Sequence, residues 1–223
     1  MKPERAAKRK VRILLADDHD IVRRGVRPLI ESEWGWEICG EAVEGRQAVT
    51  MALELKPDIV ILDVSMPELG GVEVTRQIKR ELPETEVLIF TGQDSESLVH
   101  QLFAAGARSF VLKSESATHL IPAIKALCQH QPYFGAHVSG IVFEQYLKGA
   151  QNPAQAAPDA LTPREREIVQ LLAEGRSNKD VAATLGISVK TAETHRATIM
   201  RKLGFSAFSE LVRYAVRNHI VQP

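Results

Sequence analysis

Short apolar runs alternate with stretches of helical period along the first 130 residues. Val11 to Ala16, Ile38 to Ala42, Ile59 to Leu62, Val87 to Phe90 and Ser109 to Leu112 read as buried strands. Between them apolar residues recur at helical spacing, as at Leu98, Leu102, Ala105 and at Leu120, Ile124, Leu127. A fivefold βα repeat predicts a five-stranded, doubly wound parallel sheet, because right-handed crossovers place helices on both of its faces. Beyond residue 130 the periodicity weakens. Val138 to Leu147 is compatible with one more helix, and Gly149 to Asp159, GAQNPAQAAPD, reads as a linker within residues 131–160.

From Leu161 onward the pattern is helical throughout. Thr162 is placed to cap a first helix, with Pro163 at its first position, Glu165 three residues after the cap and Gly175 past its end. A short helix follows from Asn178 to near Gly186, Ser188 caps a third over Val189 to Leu203, and a fourth runs from Ser206 to about Asn218. That order is a helix-turn-helix over residues 161–223. In the third helix Ala192, Ile199 and Leu203 share an inward face, while Lys190, Thr194, Ala197 and Arg201 share the opposite one. The outward face is small, polar and basic, as a helix entering the major groove requires. A solvated helix shows the same pattern.

The 223 residues suffice for two globular units. Hydrophobic content of 44% and charged content of 25% are ordinary for soluble domains, and no apolar run is long enough to span a bilayer. The basic start from Met1 to Lys10 has no apolar segment behind it, so it does not read as a secretory signal, and a cytoplasmic location is expected. Cys39 and Cys128 stand far apart in apolar surroundings and are expected to be reduced core thiols. The neutral total hides a division. Residues 13–130 carry 11 Lys and Arg against 19 Asp and Glu, a balance of −8, whereas residues 161–223 carry 10 against 6, a balance of +4. A basic domain beside an acidic one points to nucleic acid as partner of the former.

Ligands of such sheets bind beyond the carboxyl ends of the strands. The sequence places Asp17 and Asp18 after the first strand, Asp63 after the third, Thr91 after the fourth and Lys113 after the fifth. Three converging carboxylates repel one another unless a cation joins them. Mg2+ (or Mn2+) suits this oxygen set, through Asp18 and Asp63 directly, Asp17 through water and the Ser65 backbone carbonyl. With such an ion bound, the Asp63 carboxylate can attack a phosphoryl group while Lys113 offsets the charge on its oxygens, giving an aspartyl phosphate.

The spacing of LLADDHD, VILDVSMPELGG, FTGQ and FVLKS resembles the flavodoxin-like receiver domain of two-component response regulators over residues 11–130. The resemblance implies that Asp63 is the phosphoacceptor, Asp17 and Asp18 the metal pair, Thr91 the switch hydroxyl, Phe110 the switch aromatic and Lys113 the phosphate-binding lysine. It also implies a histidine kinase as partner. Gly70, Gly92 and Ser114 depart from residues common in the family, Ser114 standing where a proline is frequent.

LTPREREIVQLLAEGRSNKDVAATLGISVKTAETHRATIMRKLG resembles the LuxR-type domain of NarL/FixJ response regulators. By that resemblance Asn178 and Lys179 open the positioning helix near phosphates, Lys190, Thr191, His195 and Lys202 hold the DNA backbone, and Glu193, Thr194 and Ala197 face base edges. Ala192 stands where valine is usual. Leu211, Val212 and Ala215 on the last helix are the expected dimer contact, core packing being the alternative reading. The expectation is a transcriptional regulator switched by phosphorylation, homodimeric when phosphorylated, on double-stranded DNA carrying an inverted repeat, with no membrane association. It is not expected to be an enzyme beyond slow autodephosphorylation. A magnesium-dependent phosphatase shares the nucleophile, but Ser65 occupies the place of a general-acid aspartate. A constitutive DNA-binding protein would not need the complete acidic set.

Overall fold

The computed structural model describes residues 10–136, 138–142, 161–218, 220 and 221. The expected linker and the rest of the expected Val138–Leu147 helix lie outside these residues; residues 138–142 are helical.

Strands β1 (Val11–Ala16), β2 (Trp36–Ala42), β3 (Ile59–Leu62), β4 (Glu86–Thr91) and β5 (Ser109–Leu112) form a parallel sheet in the order β2-β1-β3-β4-β5. A sixth strand, β6 (Tyr133–Phe134), extends the edge beyond β5, also in parallel. The sequence pattern predicts five strands because two residues give no period; β6 owes its pairing to tertiary placement, with Tyr133 N–H donating to the Arg108 carbonyl at 3.3 Å.

Alternation along the strands divides the core. Leu14, Ala16, Val60, Leu62, Val87 and Ile89 face one way, against helices α2 (Gly45–Leu55), α3 (Gly71–Glu81) and α4 (Glu96–Ala105). Ile13, Leu15, Ile59, Ile61, Leu88 and Phe90 face the other way, against α1 (Asp20–Glu31) and α5 (Ser116–Leu127). Both faces are covered, so the strands read as apolar runs rather than as apolar-polar alternation. Truncating a residue such as Ile61 to alanine is expected to cost about 2 to 5 kcal/mol through lost transfer energy and a residual cavity.

The C-terminal helices α6 (Pro163–Ala173), α7 (Asn178–Leu185), α8 (Val189–Leu203) and α9 (Phe208–Arg217) enclose a separate core of Ile168, Leu171, Leu172, Val181, Ile199 and Leu211. Their starts are fixed by side chains. Thr162 and Glu165 form a capping box at α6, Ser177 and Asp180 another at α7, and Ser188 Oγ accepts from Thr191 N–H at α8. Gly186 and Gly204 end α7 and α8 in the left-handed conformation that glycine adopts without strain. Cys39 is half-buried, its Sγ 3.4 Å from the Ile13 carbonyl, but Cys128 is exposed. The expectation of two core thiols therefore fails at Cys128, which follows the last turn of α5 and falls off the face that carries Leu127.

Candidate functional site: an acidic pocket and a docked helix-turn-helix

At the carboxyl ends of the central strands, the chain leaves the sheet with its carboxylates already aimed. Asp17 N–H donates to the Ala42 carbonyl and Asp63 N–H to the Ala16 carbonyl, extending the ladder one residue past each strand. Asp17 and Asp63 are almost wholly buried, while Asp18 is exposed. Lys113 Nζ lies 2.8 Å from Asp17 Oδ2 and 2.8 Å from Asp63 Oδ2. The chain between Asp63 and α3 returns so tightly that a Cβ on Gly71 would lie 2.7 Å from Val64 Cα, so only glycine fits there.

Burial pushes the Asp17 carboxyl above the usual carboxylate range, helped by the Asp63 charge and opposed by Lys113 and the His19 N–H. Burial works against the Lys113 charge, but Asp63 and Asp17 outweigh it and hold the ammonium above the ordinary lysine value. A cation is thus already built into the pocket, yet the carboxylates outnumber it. One ligand atom from each of Asp17, Asp18, His19 and Asp63 lie within 4.8 Å of one another, and these donors fit a divalent metal ion.

Thr91 is buried at the end of β4, its Oγ1 accepting from Gln93 N–H at 3.3 Å. Gln93 Nε2 in turn donates to Ser65 Oγ at 3.0 Å, a bridge from the β4 side of the pocket to the β3 side. Phe110, the expected switch aromatic, is fully enclosed in the core. Ser114 does no harm to Lys113: the described residues contain no cis peptide bond, and Nζ still reaches both carboxylates.

Two residues at this pocket carry no role in the sequence reading. His19 Nδ1 lies 2.7 Å from Asp18 Oδ1 and 3.3 Å from Asp17 Oδ1. Its signal was adjacency to the aspartate pair. Gln93 had none, because its contact with Ser65 joins residues 28 apart in sequence.

The outward face of α8 is open. Lys190, Thr191, Glu193, Thr194 and Ala197 are exposed and His195 is half-buried, whereas Ala192 and Ile199 point into the core. Lys179 is exposed at the start of α7, and Asn178 Oδ1 beside it is buried without a hydrogen-bond partner among the described residues. Lys202 Nζ lies 2.7 Å from Glu165 Oε2, tying the end of α8 to the α6 capping box. Leu211 and Ala215 are completely buried and belong to the core, which corrects their reading as a dimer contact; only Val212 of that trio retains partial exposure. The period of α9 makes the three look equivalent, but Leu211 and Ala215 are turned into the core against α6, and apolar exposure on this helix is left to residues such as Phe208 and, in part, Val212.

The first helix of this unit packs on the acidic pocket's own loop. Gln170 Oε1 accepts from Gly70 N–H at 2.6 Å, and Gln170 Nε2 donates to the Met66 carbonyl at 3.0 Å. Glu167 Oε1 accepts from Gln77 at 3.2 Å, and Glu167 Oε2 lies 3.3 Å from Arg46 Nη2. Arg176 pairs with Glu68 at 3.8 Å. An open cleft of about 250 Å³ beside this contact is lined by Asp18, Ser65, Met66 and Pro67 on one side and by Gln170, Glu174 and Ile220 on the other.

Residues 13–125 match the family described as response regulator receiver domain, and residues 159–215 match the bacterial regulatory proteins, luxR family. The transcriptional regulatory protein LiaR of Bacillus subtilis is 37% identical over 212 residues, covering 95% of this chain and 99% of its own length. The response regulator VraR of Staphylococcus aureus is 32% identical, with 95% and 99% covered. Among solved structures, the Salmonella typhimurium RcsB response regulator superposes with a TM-score of 0.63 at 26% identity, covering 95% of this chain and 99% of that one. RcsB from Salmonella enterica serovar Typhimurium, bound to promoter rprA in the presence of a phosphomimetic, gives 0.60 at 26% identity, with 92% and 98% covered.

Proposed function

The chain belongs to the transcriptional response regulators that join a receiver domain to a LuxR-type DNA-binding domain, and from that premise we propose that Asp63 is its phosphorylated residue and a histidine kinase its donor. The observation that carries this reading is Lys113 Nζ at 2.8 Å from both Asp17 and Asp63. A buried carboxylate beside a fixed cation is a nucleophile whose product charge is already accommodated. The Asp63 oxygen attacks phosphorus, the bond to the donor imidazole nitrogen breaks, and the leaving nitrogen takes a proton. Asp18, Asp63, the Ser65 carbonyl and, through water, Asp17 would hold Mg2+ (or Mn2+), which supplies positive charge to the phosphoryl oxygens. Thr91 at the pocket wall donates its hydroxyl to the phosphoryl group, and slow autodephosphorylation returns the carboxylate.

The loop after Asp63 links this chemistry to DNA. Met66 and Gly70, which hold Gln170, lie three and seven residues past the phosphoacceptor. A phosphoryl group that moves Thr91 and the 64–70 loop weakens that contact and shifts the population toward released DNA-binding domains. The α8 face is open in the docked arrangement, so release acts by freeing two copies to pair rather than by uncovering the helix. A phosphorylated homodimer places two recognition helices about 34 to 36 Å apart and reads an inverted repeat. Asn178, Lys179, Lys190, Thr191, His195 and Lys202 hold the phosphates.

No helix among the described residues is long and apolar enough to cross a membrane; a cytoplasmic site of action accords with kinase and DNA as partners. The test is intact mass and sedimentation of wild type and Asp63→Asn after incubation with magnesium and a small phosphodonor. One added phosphoryl group and a heavier species in wild type alone are expected. Equal DNA affinity and equal mass for both proteins would favour a constitutive DNA-binding protein.

A further inference from the structure

The outward arc of α8 carries acceptors and methyl groups in a pattern that selects particular base edges. At about 100° per residue, Glu193, Ala197, Lys190, Arg201 and Thr194 follow one another within roughly 100° of arc. All five are exposed. Thr194 Oγ1 donates to the Lys190 carbonyl at 2.9 Å, so its hydroxyl hydrogen is committed to the helix, and toward a partner it presents a methyl group and an oxygen that can only accept. Ala197, between Glu193 and Thr194 on the arc, offers only a methyl group. Glu193 makes no hydrogen bond or ion pair with the described residues and, when ionised, accepts only.

These groups discriminate among major-groove edges. Guanine presents two acceptors, which repel a carboxylate, and adenine sets an acceptor beside its amine, whereas cytosine offers its N4 amine as a donor. Methyl groups match the C5-methyl of thymine. Lys190 and Arg201, the first and last of the five along the helix axis, balance the carboxylate against phosphates. We propose that Glu193 specifies a cytosine in each half-site, through its N4 amine, beside thymines whose methyl groups meet Thr194 and Ala197. This rests on the reading of α8 as the DNA-contacting helix.

The test is selection from randomised duplexes by the full chain, phosphorylated with a small donor, comparing wild type with Glu193→Gln. Wild type should enrich cytosine at one fixed position of each half-site. Glu193→Gln should change that position to adenine, whose N6 and N7 fit an amide, with a preference change of roughly tenfold. Replacing the adjoining thymines by uracil should weaken wild type a few-fold, by roughly the loss of one methyl contact, and should weaken Thr194→Ser less. An identical consensus for wild type and Glu193→Gln, with both binding selectively, would overturn the assignment and leave the DNA-binding reading standing. Absence of selective binding by either protein, at low salt as well, would overturn both. Glu193 is exposed and unpaired, so its replacement leaves the helix intact, and circular dichroism of the variant verifies this.

Discussion

The Gln170 side-chain oxygen lies 2.6 Å from the Gly70 backbone nitrogen, and its amide nitrogen lies 3.0 Å from the Met66 carbonyl. One primary amide of the DNA-binding domain thus satisfies both a donor and an acceptor of the loop that follows Asp63. Gln170 is almost wholly buried in doing so. Loss of such a partner leaves buried backbone groups unpaired, at about 1 to 3 kcal/mol each.

Gln170→Ala is therefore expected to undock the two domains without unfolding either. Small-angle scattering should give a larger radius of gyration, and DNA binding should depend less on phosphorylation. An unchanged radius and an unchanged ratio of affinities would show that this contact does not set the arrangement.

Lys113→Ala leaves Asp17 and Asp63 facing each other with no cation between them. Phosphorylation by a small donor is expected to slow on the order of 10²-fold, the usual effect of removing one preorganised charge-stabilising donor. The rate at saturating magnesium, read by intact mass, checks this, since a purely structural lysine would leave it near the wild-type value.

Acid should dismantle the C-terminal domain before the receiver. Hydrogen bonds from Ser177 hold Asp180 below the ordinary carboxylate value, and backbone N–H groups of Ala207 and Ser206 do the same for Glu210. Burial pushes Glu165 upward, but Lys202 and Thr162 prevail and lower it. A carboxyl with a lowered folded-state value stabilises the fold above its unfolded value of 3.8 or 4.5, and that contribution is lost as pH falls through the folded value. Asp17 is raised, so the folded receiver binds its proton more readily than the unfolded chain, and this group's contribution becomes more favourable as pH falls. Both tryptophans, Trp34 and Trp36, belong to the receiver. On acidification, helical circular dichroism should fall before tryptophan fluorescence changes; the reverse order would contradict the assignment.

Lys202 must leave Glu165 to reach a phosphate. Lys202→Met is expected to weaken binding evenly across DNA sequences and to reduce the slope of log affinity against log salt by roughly one. A sequence-dependent loss would instead place Lys202 at a base edge.

Much of this is legible in the sequence. The residues after β1, β3, β4 and β5 were chemically unlike the apolar runs before them, and the parallel sheet brings all such ends to one edge, so Asp17, Asp63, Thr91 and Lys113 could be grouped from sequence alone. The cap at Thr162, the cap at Ser188 and the helix-ending Gly186 are local too, since their partners lie within four residues.

What the sequence by itself determined, then, is whatever depends on period and short range: five strands, the α8 faces, the helix starts and the acidic edge. Tertiary structure alone decided the rest. A helical stripe is apolar whether it meets its own core or a second copy, and only the placement of α9 against α6 turned Leu211 and Ala215 into core. Gln170 and Glu167 look like solvated helix residues until Gly70 and Gln77 are brought to them from about 100 residues away. Phe110 has the same sequence signature whether turned in or out, and packing chose the inside. Period fixes which residues share a face, while what that face meets is set by contacts between segments that no local pattern records.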